Sequence, residues 1–270
     1  MYKLGVNVWC FPREIDLRNV LENVRTFGYK CLEPALSEDH LKLSLDEVRR
    51  TFEEIGNTVK EYNMSVETLA TGLFWRYSPM DPTTSDKALE ILRIQAEAAK
   101  AAGAKVLLVT LGRAIANVTY REMYRRAITW LLDASNVVKD YDVIIGVENV
   151  WNQFLAGPLE FRELIEWVSR DNVRVYFDIG NVLPHSRAEH WITELKDYIV
   201  AMHFKDFNLK TMQFCAPPDG STDWDAVFRA IRSIGYKGPI TAELPWISER
   251  PFENVKKAIS FFKEKGYIQT

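Results

Sequence analysis

The sequence predicts a single α/β domain, a closed (β/α)8 TIM-type barrel over residues 1–270, and three observations carry that expectation. Eight short apolar runs recur along the chain, amphipathic stretches with helical spacing lie between them, and glycine often closes a stretch just before the next run. The runs are mostly continuous rather than alternating, as parallel strands covered on both faces require.

Taken in order, KLGVNV at 3–8 leads through Asp16, placed as an N-cap, into a helix with apolar residues Leu17, Val20, Leu21 and Val24 that ends at Gly28. CLEPAL at 31–36 is the second run, and Ser44 opens the helix after it. SVETLAT at 65–71 is the third; the following loop, 72–84, is long enough to form a lid, and the next helix carries Leu89, Leu92, Ala96 and Ala99 to Gly103. KVLLVTL at 105–111 is the fourth, with Thr119 as the cap beyond it, and DVIIGVENV at 142–150 and VRVYFDI at 173–179 are the fifth and sixth. YIVAMHF at 198–204 is the seventh, followed by a second long loop, 205–222, and a helix from Asp223 to Gly235. PITAEL at 239–244 is the eighth, and its helix stops at Gly266. An open doubly wound sheet is the rival architecture, but neither GxGxxG nor GxxxxGKS occurs.

Composition narrows the function. An apolar content of 47% with 26% charged residues excludes disorder, and Lys+Arg 34 against Asp+Glu 37 lacks the basic footprint of a nucleic-acid or polybasic membrane binder. No apolar run is long enough to span a bilayer, and MYKLGVNVWC enters a strand directly instead of a leader, so a cytoplasmic protein is expected. Cys10, Cys31 and Cys215 are scattered without CxxC spacing and are expected to be buried free thiols.

In a barrel of this kind the loops at the carboxyl ends of the strands surround one mouth, so chemistry is sought there. Four consecutive strands end in metal-competent side chains: Glu148 in GVENVW, Asp178 in YFDIGN, His203 in AMHFKD and Glu243 in TAELPW. Residues two apart share a face, which sets Gly146, Ala201 and Thr241 below Glu148, His203 and Glu243 and turns Val147, Met202, Phe204, Ala242 and Leu244 toward the helices. Three carboxylates and an imidazole facing one centre repel one another unless a cation joins them. That donor set favours one divalent ion, Mn²⁺ foremost, with Mg²⁺ or Co²⁺ close and Zn²⁺ also compatible.

At these residues the chain resembles the sugar phosphate isomerase/epimerase family, whose fold is the xylose isomerase-like barrel. The strings GVENVWNQFL, VYFDIGNVL, MHFKDF, DGSTDW and IGYKGPITAEL look like the branch holding L-xylulose 5-phosphate 3-epimerases and hexulose 6-phosphate isomerase-like proteins, with D-tagatose 3-epimerases as further relatives. The resemblance spans almost the whole chain. It implies that Glu148, Asp178, His203 and Glu243 hold the metal and that Glu148 and Glu243 also act as acid and base. It implies epimerisation or isomerisation of a ketose through a cis-enediolate, and a homodimer or homotetramer. Asn181 replaces the substrate-touching histidine of free-ketose epimerases, Phe154 replaces a second glutamate and Leu209 an arginine. With lysines near the mouth, these departures suit an anionic small-molecule substrate, a ketose phosphate or keto sugar acid.

Other residues carry two readings. Lys205 shares parity with His203 and would meet a phosphate or carboxylate, or pair with Asp178 or Asp206. Trp9, Trp75 and Trp151 would form walls against a sugar, or pack. Glu33 would bind a sugar hydroxyl, or form a structural salt bridge. His40, His185 and His190 are expected at the surface, and Arg121, Arg125 and Arg126 on a solvated helix face. Rival functions are a dehydratase of a keto-polyol such as a keto-inositol, a trinuclear-zinc DNA repair nuclease of the endonuclease IV type, and a non-catalytic sugar-binding barrel. The second lacks its histidines, because strands two to four end LEPAL, TLATG and VTLGR.

Overall fold

The computed structural model describes residues 2–268. Its strands are β1 (Lys3–Asn7), β2 (Cys31–Glu33), β3 (Ala35–Leu36), β4 (Thr68–Thr71), β5 (Val106–Val109), β6 (Ile144–Glu148), β7 (Val173–Asp178), β8 (Ile199–Phe204), β9 (Asp206–Asn208), β10 (Gln213–Cys215) and β11 (Pro239–Ala242). The helices between them are α1 (Leu17–Phe27), α2 (Leu45–Glu61), α3 (Ser85–Ala102), α4 (Tyr120–Val138), α5 (Pro158–Val168), α6 (Ala188–Glu194), α7 (Trp224–Ser233) and α8 (Glu253–Glu264). The sheet runs β2-β1-β11-β8-β7-β6-β5-β4-β3 with every pairing parallel, which is a (β/α)8 barrel.

The second strand departs from the expected continuous run. Pro34 has no N–H to offer, and it divides the strand where partners change: Glu33 lies opposite Asn7 of β1, while Ala35 lies opposite Ala70 of β4. The loop 205–222 is also more ordered than a plain lid, since β9 and β10 form an antiparallel hairpin within it.

Helix boundaries follow the local signals. Asp16, Ser44, Thr119 and Asp223 each accept a first-turn backbone N–H. Gly28 and Gly103 close α1 and α3 at φ 108° and 90°, a region that a side chain would strain.

The core has two parts. A large shell between strands and helices contains Val147, Met202, Phe204, Ala242 and Leu244, as their parity requires. A small inner cluster of Ala70, Val106, Leu108, Tyr176 and Ala201 fills the barrel axis. Tyr176 dominates that interior, and Gly146 makes room for it: a Cβ there would lie 3.0 Å from Tyr176 Cβ. Cys10 and Cys31 are buried, whereas Cys215 is only half-buried because it closes the surface hairpin.

Candidate metal centre

The ends of β6, β7, β8 and β11 bring Glu148, Asp178, His203 and Glu243 together, with one donor atom from each lying within 4.8 Å of the others. His203 Nδ1 sits at the middle, 3.6 Å from Glu148 Oε1, 3.9 Å from Asp178 Oδ2 and 3.7 Å from Glu243 Oε2. Glu148, Asp178 and His203 are buried, and Glu243, whose side chain keeps 22% exposure, opens toward solvent.

Glu33 organises the imidazole. Its Oε2 lies 2.6 Å from His203 Nε2, it accepts from Asn7 Nδ2 at 2.5 Å, and its Oε1 accepts from Tyr176 Oη at 2.8 Å. Of the two expectations for Glu33, the structure realises the ion pair with buried His203 rather than a position open to a sugar hydroxyl. Burial opposes charge on the ring, but Glu33, Glu243 and Glu148 outweigh it and raise His203 well above its ordinary value, so Glu33 holds the Nε2 proton while the Nδ1 proton faces the cluster, where a cation would displace it. Nδ1 is buried without a hydrogen-bond partner among the described residues. An orphaned nitrogen encircled by three carboxylates is the donor set of a divalent cation site, and these residues fit one.

Charge supports that fit. Glu33, Glu148, Asp178 and Glu243 face one imidazole and one ammonium, so the cluster carries excess negative charge. Burial, reinforced by Glu243 and Asp178, pushes the Glu148 carboxyl up to about 7 despite its contact with His203. Burial also raises Asp178 against the pull of Lys205. Burial works in the same sense on Glu243, but Lys205 and His203 outweigh it and hold that carboxyl below its ordinary value.

Lys205 takes the pairing role of its two readings. Its Nζ donates to Asp178 Oδ2 at 2.6 Å and to Glu243 Oε2, while Asp206 turns to Thr222 and Trp224. Gly180 allows this path, because a Cβ there would come within 2.5 Å of Lys205 Cγ.

Asn181 is buried and points its amide at Asn149 O at 2.9 Å, while its backbone N–H donates to Asp178 Oδ1 at 2.8 Å. Asn149, which the sequence reading passed over, brackets Asp178: its Oδ1 accepts the Asp178 N–H at 2.7 Å and its Nδ2 donates to Asp178 O at 2.9 Å. No periodicity marks such a residue, because its partners are backbone groups of a strand thirty positions away. Asn7 was passed over as well, although parity could have found it, since it shares an inward face with Gly5 at the end of β1.

The three tryptophans are exposed on loops following β1, β4 and β6. Trp151 packs on Phe207 and Phe214 of the hairpin, with centroids 5.2 and 4.8 Å away, and donates from Nε1 to Asn181 O. Trp9 lines a cavity of ≈ 690 Å³ beside the β1 and β3 loops. Trp75 lies under the guanidinium of Arg113 at 5.5 Å. His185 and His190 are exposed, His40 is half-buried against Phe52, and Arg125 and Arg126 pair with Glu122 on α4. No helix among the described residues is long and apolar enough to cross a membrane.

A ring of three carboxylates and an imidazole at the carboxyl end of a (β/α)8 barrel defines a barrel with a metal-competent face. Residues 21–265 match the xylose isomerase-like TIM barrel family, and the chain belongs to that family. It is 24% identical to a probable L-ribulose-5-phosphate 3-epimerase, UlaE, of Mycoplasma pneumoniae (strain ATCC 29342 / M129), over 97% of this chain and 87% of the relative. Among solved structures it resembles a D-tagatose 3-epimerase-like protein, with TM-score 0.79, 19% identity and coverage of 98% of this chain and 99% of that one. The IOLI protein with a bound zinc atom superposes with TM-score 0.78 at 19% identity, covering 99% of this chain and all (100%) of that one.

Proposed function

We propose that this chain is a divalent-metal-dependent epimerase of a ketose, a ketose phosphate or a keto sugar acid, acting at the carbon beside the carbonyl. The observation that carries the proposal is the placement of Glu148 and Glu243 on strands three positions apart in the ring, both directed at His203 Nδ1. A 3-epimerase reading also agrees with the name of the M. pneumoniae relative.

A carbon acid beside a ketose carbonyl is too weak to ionise at neutral pH unaided. A divalent ion held by Glu148, Asp178, His203 and Glu243 would supply electrostatic stabilisation of the developing enediolate, with Mn²⁺ the first ion to test. The protein's own part is positional. One glutamate takes the proton, the other returns one to the opposite face, and that division inverts the carbon. Glu33 fixes the imidazole, Asn149 fixes Asp178, and Trp151 with Phe214 walls the approach. Because Lys205 is committed to Asp178 and Glu243, an anionic group on the substrate would instead meet rim cations such as Arg113, which forms no ion pair among the described residues.

The test is a panel of ketoses, ketose phosphates and keto acids incubated with Mn²⁺-loaded protein in D2O and read by mass spectrometry and chromatography. The expected result is an epimer carrying one deuterium, suppressed by chelation and lowered about 10³-fold or more by Glu243→Gln. Loss of water from the product would mean a lyase, and no exchange with any compound a binding barrel; either result defeats the proposal.

A further inference from the structure

We propose that Cys10 is a positioning residue for Glu243, its thiol replacing the strand that would otherwise fix that glutamate; the inference rests on the epimerase reading above. β1 and β11 pair in parallel from Lys3↔Pro239 to Val6↔Ala242, and the ladder stops there because β1 turns into a 3₁₀ helix at Val8–Cys10. Glu243 therefore lies just past the paired region. On one side its N–H reaches Phe204 O of β8 at 3.1 Å. On the other side Ala242 O and Leu244 N–H face the place β1 has left.

Cys10 occupies that place. Its Sγ donates to Ala242 O at 3.2 Å and accepts from Leu244 N at 3.1 Å, so one thiol closes the two peptide groups flanking Glu243. Cys10, Ala242 and Leu244 are all buried. Burial pushes the thiol up to about 12, which keeps the S–H donor in place at neutral pH.

The turn that delivers Cys10 is itself tied to the imidazole. Asn7 Oδ1 accepts from Trp9 N at 2.7 Å and shapes the turn, while Asn7 Nδ2 donates to Glu33, which holds His203. One strand end thus sets a metal-facing imidazole and a proton-transferring carboxylate against each other.

The experiment compares full-length Cys10→Ala and Cys10→Ser with wild type, by circular dichroism, Mn²⁺ calorimetry and steady-state kinetics. Cys10→Ala is expected to fold, to lose about tenfold or more in kcat with KM within about threefold, and to bind Mn²⁺ several-fold more weakly, because displacement of a reacting group by a fraction of an ångström is costly. Cys10→Ser, which keeps a donor and an acceptor, is expected to recover most of both losses. Alanine values within twofold of wild type, or equal losses in the two variants, would overturn the proposal. A wild type inert toward every sugar defeats the epimerase reading alone, and the Mn²⁺ affinities then decide the thiol's role on the same criteria.

Discussion

Glu33 and Glu148 lie close to the same imidazole yet have opposite duties. Burial acts against the charge of Glu33, but His203 outweighs it and keeps the carboxyl below its ordinary value, so it serves as a permanent acceptor. Glu33→Gln would offer an amide donor to Nε2 and free the ring to place its proton on Nδ1. The expected outcome is roughly 10–100-fold weaker Mn²⁺ binding by calorimetry. Glu148 is the residue that titrates. Its folded value of about 7 exceeds the ordinary 4.5, so the metal-free fold binds a proton more readily than the unfolded chain does. Its contribution to stability is therefore present below pH 4.5 and declines as pH rises toward 7, by up to about 3 kcal/mol, which urea melts of chelated protein would read. Mn²⁺ affinity is expected to rise over the same interval, with proton release. The four convergent residues were legible because inward parity at a strand end is written in the sequence. Asn149 and Cys10 were not, because each recognises backbone of a distant segment and any residue could have supplied that backbone.

The hairpin β9–β10 depends on one carboxylate. Asp206 Oδ1 accepts from Phe207 N, Thr222 N and Thr222 Oγ1, and its Oδ2 accepts from Trp224 Nε1 at 2.9 Å, so the loop is riveted to the start of α7. Gly220 lets the chain pass, since a Cβ there would lie 2.0 Å from Asp206 Oδ1. Asp206→Ala leaves those donors without their acceptor. Amide exchange across 206–222 is expected to accelerate, and KM to rise more than kcat falls, because on the proposed function Phe214 and Trp151 wall the approach while the proton-transfer groups stay in place. From sequence, 205–222 is a long loop; pairing inside it depends on which segments meet, and strands of three residues each leave little periodicity. The break at Pro34 was readable in principle, because proline in an otherwise continuous run marks a change of partner.

At the scale of the whole molecule, alternation of large and small residues along the barrel axis decides whether the site exists. Tyr176 fills the interior beneath the four side chains, its ring 4.6 Å from that of His203, and Gly146 and Ala201 concede the space. Gly146→Val would crowd Tyr176 and Val106 and is expected to destabilise the fold by about 1–3 kcal/mol in urea, with lower Mn²⁺ affinity as the tyrosine shifts. The eightfold rhythm made the architecture readable, since each repeat brought its own cap and stop; the filling of the axis was only partly so, the small residues being evident and the plug not.

Tyr176 closes the barrel axis behind the four side chains, and Glu243 is the most exposed of them. On the epimerase reading, hydrogen taken from a sugar rests on a carboxyl group that meets bulk water only where the sugar itself stands. In D2O, quenched early, deuterium is accordingly expected to accumulate in the inverted sugar before it is found in recovered starting material.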